Sequence, residues 1–146
     1  MDRNEFWKII DSSLNPEMHE TITAIEEALE SLSGAEITSF HDRLSEVLFA
    51  LDRKDLNDVE YRFFGAYEAA GESPDDFLFA RCAVVASGSA EYNGVMADPS
   101  AFAKAWDWCG QDLLNVIEEA YEEVTDEVWE YESPVNYETG SNAKAW

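Results

Sequence analysis

Residues 61–99 read YRFFGAYEAAGESPDDFLFARCAVVASGSAEYNGVMADP. This stretch holds the densest aromatic clusters in the sequence, together with an acidic pair, Asp75 and Asp76, and a basic residue, Arg81, inside an apolar run. Because aromatic side chains bury more surface than most others, a stretch this rich in them belongs in the core. We therefore expect the helices on either side of it to pack against it.

The same stretch contains a helix start. Ser73 is a favourable N-cap, Pro74 suits the first helical position, and the spacing from Ser73 to Asp76 is close to a capping box. The pattern predicts a helix from this cap to about Gly88. A carboxylate pair for metal or acid–base chemistry is the alternative interpretation, but adjacent helical side chains point in different directions, so capping is favoured.

Apolar residues recur with helical spacing through most of the remaining chain. The predicted helices are Asn4–Ile10, a helix capped by Asn15 that ends at Ser33-Gly34, Ala35–Leu51, Asp55 to about Ala70, a turn at Glu91–Met96, and Pro99 to about Tyr131, which Gly110 kinks or splits. No stretch alternates between apolar and polar residues for long, so no sheet is predicted. The tight connection at Gly34 indicates an antiparallel helical hairpin.

Together these patterns predict an all-α fold. We expect a single compact bundle of six to seven helices, with an N-terminal helical hairpin and a long C-terminal helix. A chain of 146 residues fits one domain, which we place at residues 1–131. Residues 132–146 are expected to form an extended tail, with Trp146 holding it to the body.

The charge is strongly one-sided, with 32 acidic and 9 basic residues and a formal net charge of −23. Such a surface repels nucleic acids and anionic membranes, so neither is an expected partner. Acidity of this kind serves solubility in many proteins, and the alternative is a surface that meets a basic partner. No charged and then apolar leader precedes the first helix, and no apolar run is long enough to cross a bilayer, so we expect a cytoplasmic protein.

Residues that carry common chemistry are sparse. Cys82 and Cys109 have neither disulfide-framework nor zinc spacing, and both suit buried positions in helices. The two histidines, His19 and His41, fall at polar or boundary positions without a ligand partner one turn away, so no metal site is predicted. With no nucleophile elbow, phosphate loop or dinucleotide fingerprint, no catalytic residue and no cofactor is predicted, and a non-enzymatic protein is favoured.

Arg81 is the one basic side chain inside an apolar helix, and it should have a partner. An ion pair with Asp75 or Glu91 is the main interpretation, and recognition of an anionic ligand is the alternative. In the second case the ligand-binding candidates are Asp75, Arg81, Tyr67 and Tyr92.

The last predicted helix carries a ladder of acids. Like charges four residues apart repel by a few tenths of a kcal/mol per pair, so their retention favours either a solvated face or a docking face for a basic partner. Two tryptophans two residues apart on a helix face different ways, which places Trp108 at the surface. The candidates for partner binding are Trp108, Glu119, Glu122, Glu123 and Asp126.

Several short motifs resemble the DUF4240 family of bacterial proteins of unknown function. Residues 4–11, NEFWKIID, resemble that family's FWxxID start, and residues 73–81, SPDDFLFAR, resemble its S-D-D-x-F-x-x-F-R segment. Gly88 and Asp98-Pro99 resemble later marks of the family, and the likeness covers roughly the first hundred residues. Pro74 stands where the first acid of the family pair would be, and Ala80 replaces the aromatic residue before Arg81. The resemblance implies an all-helical, soluble bacterial protein and no established activity.

We therefore expect a non-enzymatic acidic interaction protein, for example an immunity or antitoxin-like factor that binds a basic partner. The alternative is a small-ligand-binding protein or enzyme with a pocket around Asp75 and Arg81. The oligomeric state does not follow from the sequence.

Overall fold

The computed structural model describes residues 1–59, 62–63, 73–102, 105–106 and 110–146, with residues 62–63 and 105–106 as backbone. The seven α-helices among them are α1 Arg3–Ser13, α2 Met18–Glu30, α3 Gly34–Leu51, α4 Lys54–Asn57, α5 Pro74–Ala86, α6 Ser89–Ala97 and α7 Asp112–Thr125. Two 3-10 helices, Pro99–Phe102 and Ala143–Ala145, complete the helical part. The predicted all-α class is confirmed.

Capping side chains set several of the helix starts. Asp2 and Glu5 form a capping box at α1, and Ser33 and Glu36 form another at α3. Ser33 therefore starts the third helix instead of ending the second. The second helix begins at Met18, and Asn15 accepts a hydrogen bond from the Glu17 amide without capping the helix.

Two predicted helices differ from the observed elements. The predicted helix from Asp55 to Ala70 is wrong where it can be compared, because α4 stops at Asn57 and Arg62–Phe63 form a two-residue strand, β1. This strand pairs in parallel with β2, Ala105–Trp106, so a minimal backbone pairing exists where no sheet was predicted. The rest of the predicted helix lies outside the described residues.

The C-terminal helix is shorter than its apolar pattern predicts. It starts after Gly110, as the split at that residue predicts, and it ends at Thr125 instead of Tyr131. Asp126 stops it with a left-handed backbone, φ 56° and ψ 28°. An added Cβ at Gly110 would lie 2.1 Å from the Phe79 carbonyl oxygen, so glycine is required where α7 begins against α5.

Helix α7 is the central packing element of the bundle. It packs most extensively on α2 and also contacts α3 and α5. The two helices of the predicted N-terminal hairpin follow one another through a short turn, yet each packs mainly on other helices instead of on its neighbour in the hairpin. The buried apolar stripe of α7 explains this arrangement, and it consists of Leu113, Val116, Ile117 and Ala120.

Candidate functional site

The helix start at Ser73 has the geometry of a cap. The Ser73 hydroxyl oxygen accepts a hydrogen bond from the Asp75 amide at 3.2 Å, and Pro74 occupies the first helical position. The Asp75 side chain is exposed in this first turn, where the positive end of the helix dipole favours a carboxylate.

Arg81 is fully buried in the middle of α5. Its Nη1 donates to the Leu48 carbonyl oxygen at 2.8 Å and to the Tyr137 carbonyl oxygen at 2.9 Å. Its Nη2 donates to the Thr139 hydroxyl at 3.1 Å, and the guanidinium lies 4.8 Å from the Phe77 ring centre. A guanidinium cannot lose its charge, so burial requires acceptors of this kind. These bonds connect α5 to α3 and to residues 126–146, here called the C-terminal segment.

Asp52, at the end of α3, is the second buried charged residue that holds this segment. Its Oδ1 accepts from the Gly140 amide at 3.0 Å and from the Trp146 indole Nε1 at 2.9 Å. Its Oδ2 accepts from the Asn142 amide at 2.9 Å. The hydrogen bonds of Arg81 and Asp52 thus fix residues 137–146 against the helices, and Trp146 does contact the body as the sequence predicts.

The four ligand-binding candidates have different surroundings. Tyr92 is buried, its hydroxyl accepts from Arg3 Nη2 at 3.4 Å, and its ring lies 5.0 Å from that of Trp7 on α1. Asp75, Arg81 and Tyr92 make hydrogen bonds to different residues, and Tyr67 lies outside the described residues. A pocket shared by the four residues stays a prediction.

A different pocket lies between the C-terminal segment, α3 and α7. Its volume is about 370 Å³, and we call it the aromatic cavity. The lining residues are His41, Glu118, Trp129, Tyr131, Glu132, Ser133, Val135, Asn136, Tyr137 and Glu138. The cavity was not predicted from the sequence, although the aromatic residues Trp129, Tyr131 and Tyr137 within an acidic stretch could have indicated it.

His41 lies at the centre of these aromatic rings. Its ring centre is 5.2 Å from that of Trp129, 5.9 Å from Tyr137 and 6.1 Å from Tyr131, each close to perpendicular. The side chain is 8% exposed, so the predicted boundary position is wrong, and its Nδ1 makes no hydrogen bond to a described residue. Burial lowers the pKa of His41, and the neighbouring Asp42 carboxylate opposes this effect. The imidazole is therefore neutral at pH 7.

The tyrosines of the cavity are also neutral. The Tyr131 hydroxyl donates to both carboxylate oxygens of Asp42 at 3.0 Å, and burial together with this bond raises the pKa of Tyr131. Burial, with negative groups nearby, raises the pKa of Tyr137 to about 12. The formal charge of the cavity lining thus comes from Glu118, Glu132 and Glu138, each of which is exposed. Burial and the neighbouring Glu122 and Glu119 raise the pKa of Glu118.

The acidic ladder of α7 forms an exposed face. Glu119, Glu122, Glu123 and Asp126 are all exposed, and Glu122 accepts a hydrogen bond from the Trp129 amide at 2.9 Å. Across the contact with α2, Glu119 helps to raise the pKa of Glu26, although partial burial of Glu26 is the larger cause. Trp108 lies outside the described residues. The structure therefore brings the four acids of the predicted partner site together.

We searched the described residues for side chains that could bind a metal ion and for helices that could span a membrane. No three His, Cys, Asp or Glu side chains there are grouped so that they could hold a metal ion. None of the helices within the described ranges has the length and apolarity needed to cross a membrane.

A family model described as "Protein of unknown function (DUF4240)" matches residues 1–123. This match confirms the resemblance inferred from the short motifs. No curated protein and no solved structure matches the chain.

Proposed function

We propose that this chain, which belongs to the DUF4240 family of proteins of unknown function, is a non-enzymatic interaction protein that binds a basic protein partner. The proposed docking surface is the acidic face, defined as Glu119, Glu122, Glu123 and Asp126. An immunity or antitoxin-like factor that blocks a basic toxin or nuclease is the form of this function we favour. We further propose that the protein binds this partner in the cytoplasm of a bacterium.

The observation that carries the proposal is the run of exposed carboxylates that forms the acidic face, none of which forms an ion pair with a Lys or Arg among the described residues. Neither α2 nor α7 contains a Lys or Arg. The ion pairs of Lys and Arg among the described residues are local to α3 and α4, namely Arg43–Glu46, Arg53–Asp55 and Lys54–Asp58. The charge of the acidic face is therefore available to steer and orient a basic partner.

The alternative function, a small-ligand-binding protein or enzyme with a pocket around Asp75 and Arg81, has less support. The Arg81 guanidinium donates to three groups of the chain itself, and Asp75 sits in an exposed first turn. An anionic ligand at Arg81 would have to replace contacts that hold the C-terminal segment. We therefore do not favour this alternative.

The test is capture of host proteins on three immobilised forms of the protein. The first is the wild type, and the second carries Glu119→Gln, Glu122→Gln, Glu123→Gln and Asp126→Asn. The third is a control with the same charge change at exposed acids elsewhere, Glu17→Gln, Asp55→Asn, Asp58→Asn and Asp75→Asn. Quantitative mass spectrometry at low salt should find a basic protein on the wild type and the control, and a large loss on the second form. Equal recovery on all three forms, or no basic protein on any, would refute the proposal.

A further inference from the structure

We propose that the aromatic cavity is a binding site for an organic cation of the guanidinium or alkylammonium type. This site goes beyond the proposed function, because a free cation would occupy it as readily as an Arg or Lys side chain presented by a basic partner. The cavity volume of about 370 Å³ lies within the usual range for small-molecule sites.

Aromatic rings form one wall of the cavity. Trp129, Tyr131 and Tyr137 all line the cavity, and the Trp129 and Tyr131 ring centres are 5.8 Å apart. All three rings surround the His41 imidazole at nearly right angles to it. Clustered aromatic faces attract cations through their ring quadrupoles, and more strongly where water is partly excluded. This wall selects a cation over a neutral group of the same shape.

The described charged residues that line the cavity are acidic. The cavity is bordered by the carboxylates of Glu118, Glu132 and Glu138, and of the described residues that line it none is Lys or Arg. Carboxylates accept paired N–H donors from a guanidinium in a bidentate arrangement, and they also accept from an ammonium group. The three carboxylates would repel an anion. The ligand class that fits both the rings and the acids is a cation with N–H donors.

The His41 imidazole completes the lining of the cavity among the rings. The side chain is more than nine-tenths buried, and its Nδ1 is closed off from solvent without a hydrogen-bond partner among the described residues. Burial lowers the pKa of His41, so the ring is neutral at pH 7 and adds no positive charge that would repel a cation.

The test uses defined probes on the full chain. Nα-acetyl-arginine amide and Nα-acetyl-lysine amide present the cation from a peptide backbone, whereas n-butylguanidinium presents a free guanidinium with the same single charge. Nα-acetyl-citrulline amide, a neutral analogue of nearly the same shape as the arginine probe, is the matched control ligand. Binding is followed by NMR through the indole resonance of Trp129 and by calorimetry. We expect saturable binding of the arginine probe and binding of the citrulline probe that is weaker by roughly tenfold or more.

Two variants with equal charge change locate the site. Glu118→Gln with Glu132→Gln and Glu138→Gln should weaken binding of the arginine probe by roughly tenfold. The control, Glu17→Gln with Glu20→Gln and Glu30→Gln, should leave it unchanged. Binding of n-butylguanidinium as tight as that of the arginine probe supports a free cation as the ligand, and weaker binding of n-butylguanidinium supports a side chain of a partner.

The proposal is overturned if no probe binds saturably, if the citrulline probe binds as well as the arginine probe, or if the two variants behave alike. None of these results would contradict the proposed binding of a basic partner at the acidic face, because the four acids of that face do not line the cavity.

Discussion

The indole Nε1 of Trp146 donates a 2.9 Å hydrogen bond to Oδ1 of Asp52, a residue 94 positions earlier in the chain. The same carboxylate accepts from the Gly140 and Asn142 amides. One buried acid at the end of α3 therefore organises the end of the C-terminal segment. This segment supplies eight of the ten described residues that line the aromatic cavity, so the fold and the candidate site depend on the same contacts.

Replacing Asp52 with Ala should release this part of the segment. Leaving a buried hydrogen-bond donor without its acceptor costs about 1–3 kcal/mol, and several donors lose Asp52. We therefore expect the free energy of unfolding to fall by about 3 kcal/mol. Urea denaturation measures that change, and hydrogen exchange at Gly140 and Asn142 should accelerate strongly. Asp55→Ala, at an exposed site nearby, is the control and should have little effect. Unchanged protection of the two amides in Asp52→Ala would show that the carboxylate does not hold the segment.

Gly110→Ala should destabilise the protein by about 3 kcal/mol, because overpacking against fixed backbone is poorly tolerated. The added Cβ would lie 2.1 Å from the Phe79 carbonyl oxygen and 2.6 Å from the Ala83 nitrogen. Gly94→Ala in α6 is the matched control, since a Cβ there meets nothing within 4 Å. The control should raise stability by about 0.5–1 kcal/mol. Similar melting temperatures for the two variants would contradict the close approach of α7 to α5.

The contribution of His41 to stability should fall as the pH drops below about 6.5. Burial lowers the pKa of His41 in the folded state, so its contribution to stability is present above the unfolded value of 6.5 and is lost as the pH falls through the folded value. The charged and titratable groups around the ring are Asp42, Glu118, Tyr131, Glu132, Tyr137 and Glu138. Histidine-ring NMR measures the pKa directly, and His41→Gln should flatten the pH dependence of unfolding between pH 5 and 7. His19→Gln is the exposed control. A folded pKa at or above 6.5 would contradict the account.

Glu26→Gln should stabilise the protein at pH 7 by a few tenths of a kcal/mol. Partial burial and the negative charge of Glu119 on α7 raise the pKa of Glu26 above 4.5. Protonated Glu26 therefore gives stability that is fully present below 4.5 and lost as the pH rises through its folded pKa, and the Gln variant keeps it at neutral pH. Thermal unfolding at low and high salt measures the gain, of which the electrostatic part should shrink at high salt. A loss of stability in Glu26→Gln at pH 7 would show that burial and the neighbouring negative charges do not destabilise the Glu26 carboxylate.

The sequence predicted the parts of the fold that depend on local pattern. The stripes of α2 and α3 and the Ser73 cap of α5 follow from spacing and capping chemistry. The predicted helix end at Tyr131 was wrong because apolar spacing continues through Val124 and Val128, whereas the left-handed backbone at Asp126 ends the helix. Periodicity alone does not reveal such a helix end.

Contacts between distant residues could not be predicted in the same way. The Arg81 side chain donates hydrogen bonds to the carbonyl groups of Leu48 and Tyr137, and because every residue has a carbonyl, no sequence pattern identifies these acceptors. The aromatic cavity forms because the C-terminal segment returns over α3, which depends on Asp52. No short sequence pattern predicts that the C-terminal segment packs over α3.

The claim that the acidic face meets a basic partner is tested most directly by carboxylate footprinting. The protein is labelled with a carbodiimide and an amine, alone and with the captured partner, and the modified acids are quantified by mass spectrometry. The account predicts that Glu119, Glu122 and Glu123 lose labelling in the complex, while Glu17 and Asp75 keep it. Undiminished labelling of the three α7 acids, or equal loss at Glu17 and Asp75, would contradict it.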